Sequence, residues 1–193
     1  MQIKVGAFNL GNLALPGHQF TSEPPYTPHE YEEKTSWIAS QLKEMNADII
    51  GFQEVFSDVA LREAVAKSGL YSSAEVIAPL TDGSKPRLGL LSVYPFESTP
   101  EIIIDFPPEV DLSIKGVPQA ITQFTRPVIK AKVRVKENLV ITCFVVHLKS
   151  KRPIFDHHHH SFKEDAMGSA KSLLIRVAES VALRCMLIDE MQG

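Results

Sequence analysis

Apolar and polar positions alternate through "IKVGAFNL" and the alternation breaks at Gly11, which predicts a strand over residues 2–10. A proline-rich loop follows, and then "TPHEYEEKTSWIASQLKEMN" carries a helix start. Thr27 can cap, Pro28 occupies the first helical position and Glu30 completes a capping box. Ile38, Leu42 and Met45 form the stripe this helix should bury. "ADIIGFQEV" reads as a second strand, and a short helix opens at Ser57 and stops near Gly69. The middle of the chain is strand after strand. "SSAEVIAPL" and "RLGLLSVYPF" flank the turn "TDGSKP" as a hairpin, and "TPEIIIDF" is another strand. In "ITQFTRPVIKAKVRV" the residues Ile129, Ala131, Val133 and Val135 face one way and Lys130, Lys132 and Arg134 the other. "LVITCFVVHL" is an almost continuous apolar run, as expected of a strand buried on both faces. The last helix, from about Asp165, repeats Leu174, Val177, Ala178, Val181, Cys185 and Ile188 at three- and four-residue spacing, which commits that face to a core. Together these elements predict an α/β fold with a mixed, largely antiparallel sheet and helices on one side.

Composition narrows the class without naming a function. The chain has 193 residues, 44% hydrophobic and 22% charged, so one domain over residues 1–193 with a core of its own is expected. A formal net charge of -3 argues against a generally basic coat, so a polyanion would need a local basic patch or a metal. No segment has the length of a membrane span or the character of a signal peptide, and the expectation is a soluble, cytoplasmic protein. Cys143 and Cys185 form no CxxC and read as free core thiols.

Three polar side chains stand at or near predicted strand ends: Asn9, Glu54 and His147. A carboxylate and an amide are hard oxygen ligands that suit Mg²⁺, with Mn²⁺ or Ca²⁺ as substitutes, rather than zinc. His147 is followed by Lys149, Lys151 and Arg152, a set that suits a phosphate. Taken singly, Asn9 also reads as a turn residue, Glu54 as a solvated strand end and His147 as a satisfied core histidine.

The surroundings of these residues resemble the endonuclease/exonuclease/phosphatase superfamily, the DNase I-like metal-dependent phosphoesterases. The resemblance runs in order through "FNLGN", "ADIIGFQEV", "GLLSVYPF", "FTRPVIKAKV", "VVHLKSKRP" and "GSAKSLLIRVAESVALR", nearly the whole chain. It implies a Mg²⁺-dependent hydrolase of phosphoester bonds, a nuclease or phosphodiesterase, in which Glu54 binds the metal. Asn9 would sit near metal and phosphate, and His147 would contact the scissile phosphate. DNA, RNA, phospholipid headgroups and small phosphodiesters are all substrates within such a family. Val93 departs from the pattern, standing where an arginine is usual.

The resemblance also implies a four-layer α/β sandwich of which this chain holds roughly the first half, each half supplying one sheet. The family's Gly-Asp-x-Asn stretch and terminal Asp-His pair are missing, and Asp156-His157 lies too early to be that pair. The domain is therefore expected to be cut short at its carboxyl end, and the fragment itself to be inactive. A lone half would leave "LVITCFVV" and "EIIID" partly uncovered, so a homo-oligomer joined through that sheet face is expected. Two other readings stay open. One is an interaction module that keeps the fold without the chemistry. The other is a zinc-binding module built on His157–His160, although adjacent histidines rarely close a tetrahedral site.

Overall fold

The structure is a computed structural model and describes residues 2–20, 24–78, 83–110, 121–155 and 161–192. Its mixed α/β architecture has two sheets and three helices among the described residues. The chain separates into two compact units, one of residues 1–102 with 127–146, the other of residues 103–126 with 147–193.

The first unit grows from local signals. Thr27 caps α1 (Pro28–Met45): its side chain accepts from the Glu30 amide, and the Glu30 carboxylate accepts in return from the Thr27 amide at 2.8 Å. Asn46 closes the helix in the left-handed conformation. Thr27→Ala would remove the side-chain acceptor for the helix's orphan amide, and we expect it to cost about 1 kcal/mol in urea unfolding, with no change in fold. Ser57 and Gly69 bound α2 (Asp58–Ser68) in the same way, as the sequence predicts.

Four strands form the first sheet: β1 (Val5–Leu13), β2 (Ile49–Val55), β3 (Glu75–Ile77) and β4 (Arg87–Ser92), in the order β1-β2-β4-β3. β1 and β2 run parallel, as an intervening helix requires, and the remaining pairs are antiparallel. One face meets α1 and α2 through Leu10, Leu13, Ile38, Leu42, Ile50, Phe52, Leu61 and Leu91. The other face meets a second layer. There Ile49, Leu88 and Leu90 pack with Ile129, Ala131 and Val133 of β6 (Gln123–Lys136) and Val145 of β7 (Leu139–Val145). Gly51 permits this approach, because a Cβ there would stand 3.1 Å from a Val145 methyl. The second sheet has the order β5-β6-β7, with β5 at Glu101–Asp105.

Three expectations are corrected here. Among the described residues there are two sheets, not one, and within the first unit β6 and β7 cover β2 and β4, so helices occupy one face of the first sheet and strands the other. β7 is an edge strand with Leu139 and Val140 exposed, not a strand buried on both faces. An apolar run reads the same in sequence at either position.

The third correction concerns α3 (Phe162–Gln192), in the second unit. The expected core stripe lies largely outside: Leu174, Val177, Val181 and Ile188 are exposed, Cys185 is half-buried, and only Ala178 of that set is buried. The buried line is Gly168, Ser172, Ala178, Glu179 and Ala182. Small residues let the helix lie close to the 152–155 chain, where the Ser172 hydroxyl donates to the Arg152 carbonyl at 2.6 Å. No helix is long and apolar enough to cross a membrane among the described residues.

Candidate active site

Asn9 and Glu54 lie in neighbouring parallel strands, with Asn9 in register beside Gln53. Beyond that pair the register slips, and Leu13 next faces Val55, so four residues of β1 are set against two of β2. The extra length is taken up by Gly11 and Asn12, both at positive φ (57° and 61°). Glu54 is itself left-handed at φ 61°. For a glutamate this backbone costs about 1 kcal/mol or more, and such strain gathers at functional sites.

Inside the bulge the Asn9 carboxamide is fixed at both ends. Its Oδ1 accepts from the Gly11 amide at 2.9 Å, and its Nδ2 donates to Glu54 Oε1 at 3.1 Å. The Gly11 N–H decides this orientation, since a donor needs an oxygen opposite it. Asn9 therefore holds the Glu54 carboxylate, with its own oxygen engaged by the backbone. Glu54 is half-exposed.

The second unit gathers the basic residues. The segment after β7 is held by Glu179, whose side chain is 1% exposed. Glu179 Oε1 accepts from the Thr125 amide (2.8 Å) and hydroxyl (2.6 Å), and Oε2 accepts from the Lys149 amide. Arg126 donates from Nη1 to the His147 and Leu148 carbonyls, while its Nε is buried and bonds nothing among the described residues. Arg176 donates to the Lys149 carbonyl.

Of the basic residues read from the sequence, Lys149 is turned onto its own loop, its Nζ donating to the Ser150 and Arg152 carbonyls. Lys151 and Arg152 are exposed, and His147 is half-buried. Burial pushes the Lys149 ammonium down from its usual range, and the Arg126 charge adds to this; Glu179 opposes both, and Arg152 lowers it further. Lys149 thus feels the cations Arg126 and Arg152 together with the Glu179 carboxylate.

Two residues escaped the sequence reading. Arg126 sits inside a predicted strand, before Pro127, where only the proline hinted at a change of role. Glu179 stands in a helix between Ala178 and Ser180, where a lone charge reads as solvent-facing.

Mg²⁺ is commonly held through one or two carboxylates, its remaining positions going to water and phosphate oxygens. A single partly exposed Glu54 with an orienting amide fits that mode. It does not fit a closed protein cage, and no group of three or more His, Cys, Asp or Glu gathers for a metal among the described residues. Asp156 and His157–His160 lie outside the described residues.

No family model and no curated protein matches the chain. Five solved chains do. One of them is an endonuclease/exonuclease/phosphatase family protein from Leptotrichia buccalis C-1013-b, 11% identical, with a TM-score of 0.44. The match covers 86% of this chain and 60% of that one, so this chain spans about 60% of the length of the structure it is similar to.

Proposed function

We propose that the chain is part of a metal-dependent phosphoester hydrolase, with Mg²⁺ held at Glu54, and with Mn²⁺ or Ca²⁺ able to replace it. The observation that carries this reading is the left-handed Glu54, tied to Asn9 across two adjacent strand ends. A chain that needed only a solvated strand end would have no reason to hold a glutamate there in a strained conformation. When bound, the metal supplies Lewis-acid polarisation of a phosphoryl oxygen. Asn9 orients the carboxylate that binds it.

In the second unit, Arg126, Lys151, Arg152 and His147 supply cationic and hydrogen-bonding groups suited to a phosphate, and an anion would offset the Arg126 and Arg152 charges that add to burial in lowering Lys149. The substrate class is a phosphoester, nucleic acid among the candidates. The residues that would activate water in the resembling family have no counterpart in this sequence, so hydrolysis by these 193 residues is expected to be weak or absent.

Metal binding is accordingly the test. Calorimetric titration of Mn²⁺ and Mg²⁺ into the wild type and Glu54→Gln should show a site that the substitution weakens by about tenfold or more, at unchanged melting temperature. Equal affinity in the two proteins would overturn the reading in favour of an interaction module.

A further inference from the structure

The bulge that sets Asn9 against Glu54 is itself held from outside the strand. Lys34, on the second turn of α1, donates from Nζ to the Gly11 carbonyl at 2.6 Å. The Tyr26 hydroxyl lies 3.1 Å from the Asn12 carbonyl and 3.3 Å from that of Gly11. Lys34 Nζ also stands 5.1 Å from the centroid of the Tyr26 ring, so the cation lies over its face. Tyr26 in turn packs on Phe20, ring centroids 5.3 Å apart, and Phe20 on Phe56 at 5.1 Å.

We infer that Lys34 and Tyr26 are positioning residues for the Asn9–Glu54 pair. Gly11 and Asn12 are consecutive left-handed residues, an arrangement that L-residues rarely adopt unaided. Their carbonyl oxygens point out of the sheet ladder and need donors, and an ammonium and a phenol supply them. With those carbonyls pinned, the Gly11 amide is aimed at Asn9 Oδ1, and the Asn9 amide is thereby aimed at Glu54. Gly11 joins the peptide unit whose carbonyl Lys34 holds to the one whose amide faces Asn9, so pinning the first limits how far the second can turn into the ladder and carry Asn9 away from Glu54. Lys34 acts through charge as well as shape: a charge-assisted hydrogen bond is roughly twice as strong as a neutral one. Lys43, in the last turn of the same helix, makes no such hydrogen bond among the described residues and serves as the control.

This inference rests on the metal reading of Glu54 for its function, but its geometry is testable without metal. Four variants of the full chain are compared with the wild type: Lys34→Met, Lys34→Arg, Tyr26→Phe and, as a control, Lys43→Met. The first readout is the side-chain amide resonance of Asn9 in ¹H–¹⁵N spectra of metal-free protein. The second is Mn²⁺ affinity, and thermal melting is followed alongside.

Lys34→Met and Tyr26→Phe should shift the Asn9 amide signals, and Lys34→Met should weaken Mn²⁺ by about tenfold. Lys34→Arg should restore both, and Lys43→Met should change neither. If Asn9 is unmoved in Lys34→Met and Tyr26→Phe, the inference is wrong. It is equally wrong if Lys34→Arg shifts Asn9 as far as Lys34→Met does, because the donor would then not matter. Should the wild type bind no Mn²⁺ through Glu54, the metal reading falls and the Asn9 resonance alone decides the positioning role. Should Lys34→Met fail to fold, Tyr26→Phe decides it, since it removes one hydroxyl and leaves the ring packing in place.

Discussion

Glu179→Ala should destabilise the second unit by about 3 kcal/mol, among the largest effects of any single polar substitution in this chain. The side chain is almost wholly buried and accepts three hydrogen bonds, two of them from backbone amides. Removing it leaves the Thr125 and Lys149 N–H groups without their acceptor, and takes away a carboxylate that opposes the effect of Arg126 and Arg152 on Lys149. A hydrogen bond to a charged group contributes about 1.5–3 kcal/mol, and water entering the small space left behind returns part of that sum. Glu179→Gln keeps the shape and one oxygen but turns an NH₂ toward a donor, so its cost should be smaller and still clear. Amide exchange reads this locally. The Thr125 and Lys149 amide protons should lose protection in both variants, more in Glu179→Ala, while amides of α1 keep theirs. Unchanged protection at those two amides would mean that Glu179 does not organise the loop.

The reach of the sequence differed from element to element for physical reasons. α1 and α2 were readable to their caps because capping is local: Thr27, Glu30, Ser57 and Gly69 act within one turn of themselves. The two candidate strand-end residues of the first unit, Asn9 and Glu54, were readable as polar breaks in apolar runs. What brings them together was not. The bulge depends on a mismatch of length between β1 and β2, and on Lys34 and Tyr26, which are distant from Asn9 in sequence. "GN" at Gly11-Asn12 is the single local trace of it, since those are the residue types that tolerate positive φ.

α3 misled for the opposite reason. A hydrophobic-periodicity argument selects the largest apolar residues, and here those are the exposed ones: Leu173, Leu174, Val177 and Val181. Where a helix must lie against another stretch of backbone rather than on a layer of side chains, proximity selects Gly, Ser and Ala, and the stripe moves. The buried charge follows from the same closeness, because Glu179 reaches backbone amides that a wider gap would leave to water. The homo-oligomer expected through the sheet face of "LVITCFVV" and "EIIID" stays a proposal. It would be tested by sedimentation across a concentration series.

The closeness of α3 can be tested at one position. Gly168→Ala should destabilise the second unit by about 2 kcal/mol, although intrinsic helix propensity favours alanine over glycine by about 1 kcal/mol. A Cβ on residue 168 would stand 2.6 Å from the Ile154 carbonyl oxygen and 3.1 Å from its nitrogen. Both are backbone atoms, and the Ile154 amide already donates to the Gly168 carbonyl, so neither can swing aside as a side-chain tip would. Relief requires the helix and the 153–155 segment to part, which strains the Ser172 bond to the Arg152 carbonyl as well. Overpacking of this kind costs about 1–3 kcal/mol and should outweigh the gain in propensity. Ser169→Ala, one residue along on the exposed side, supplies the comparison: it changes propensity with nothing to collide with, and should be neutral or slightly stabilising. Urea unfolding followed by helical circular dichroism separates the two variants. If Gly168→Ala proves as stable as Ser169→Ala, the helix does not lie against the 153–155 backbone, and the small-residue explanation of its buried face fails with it.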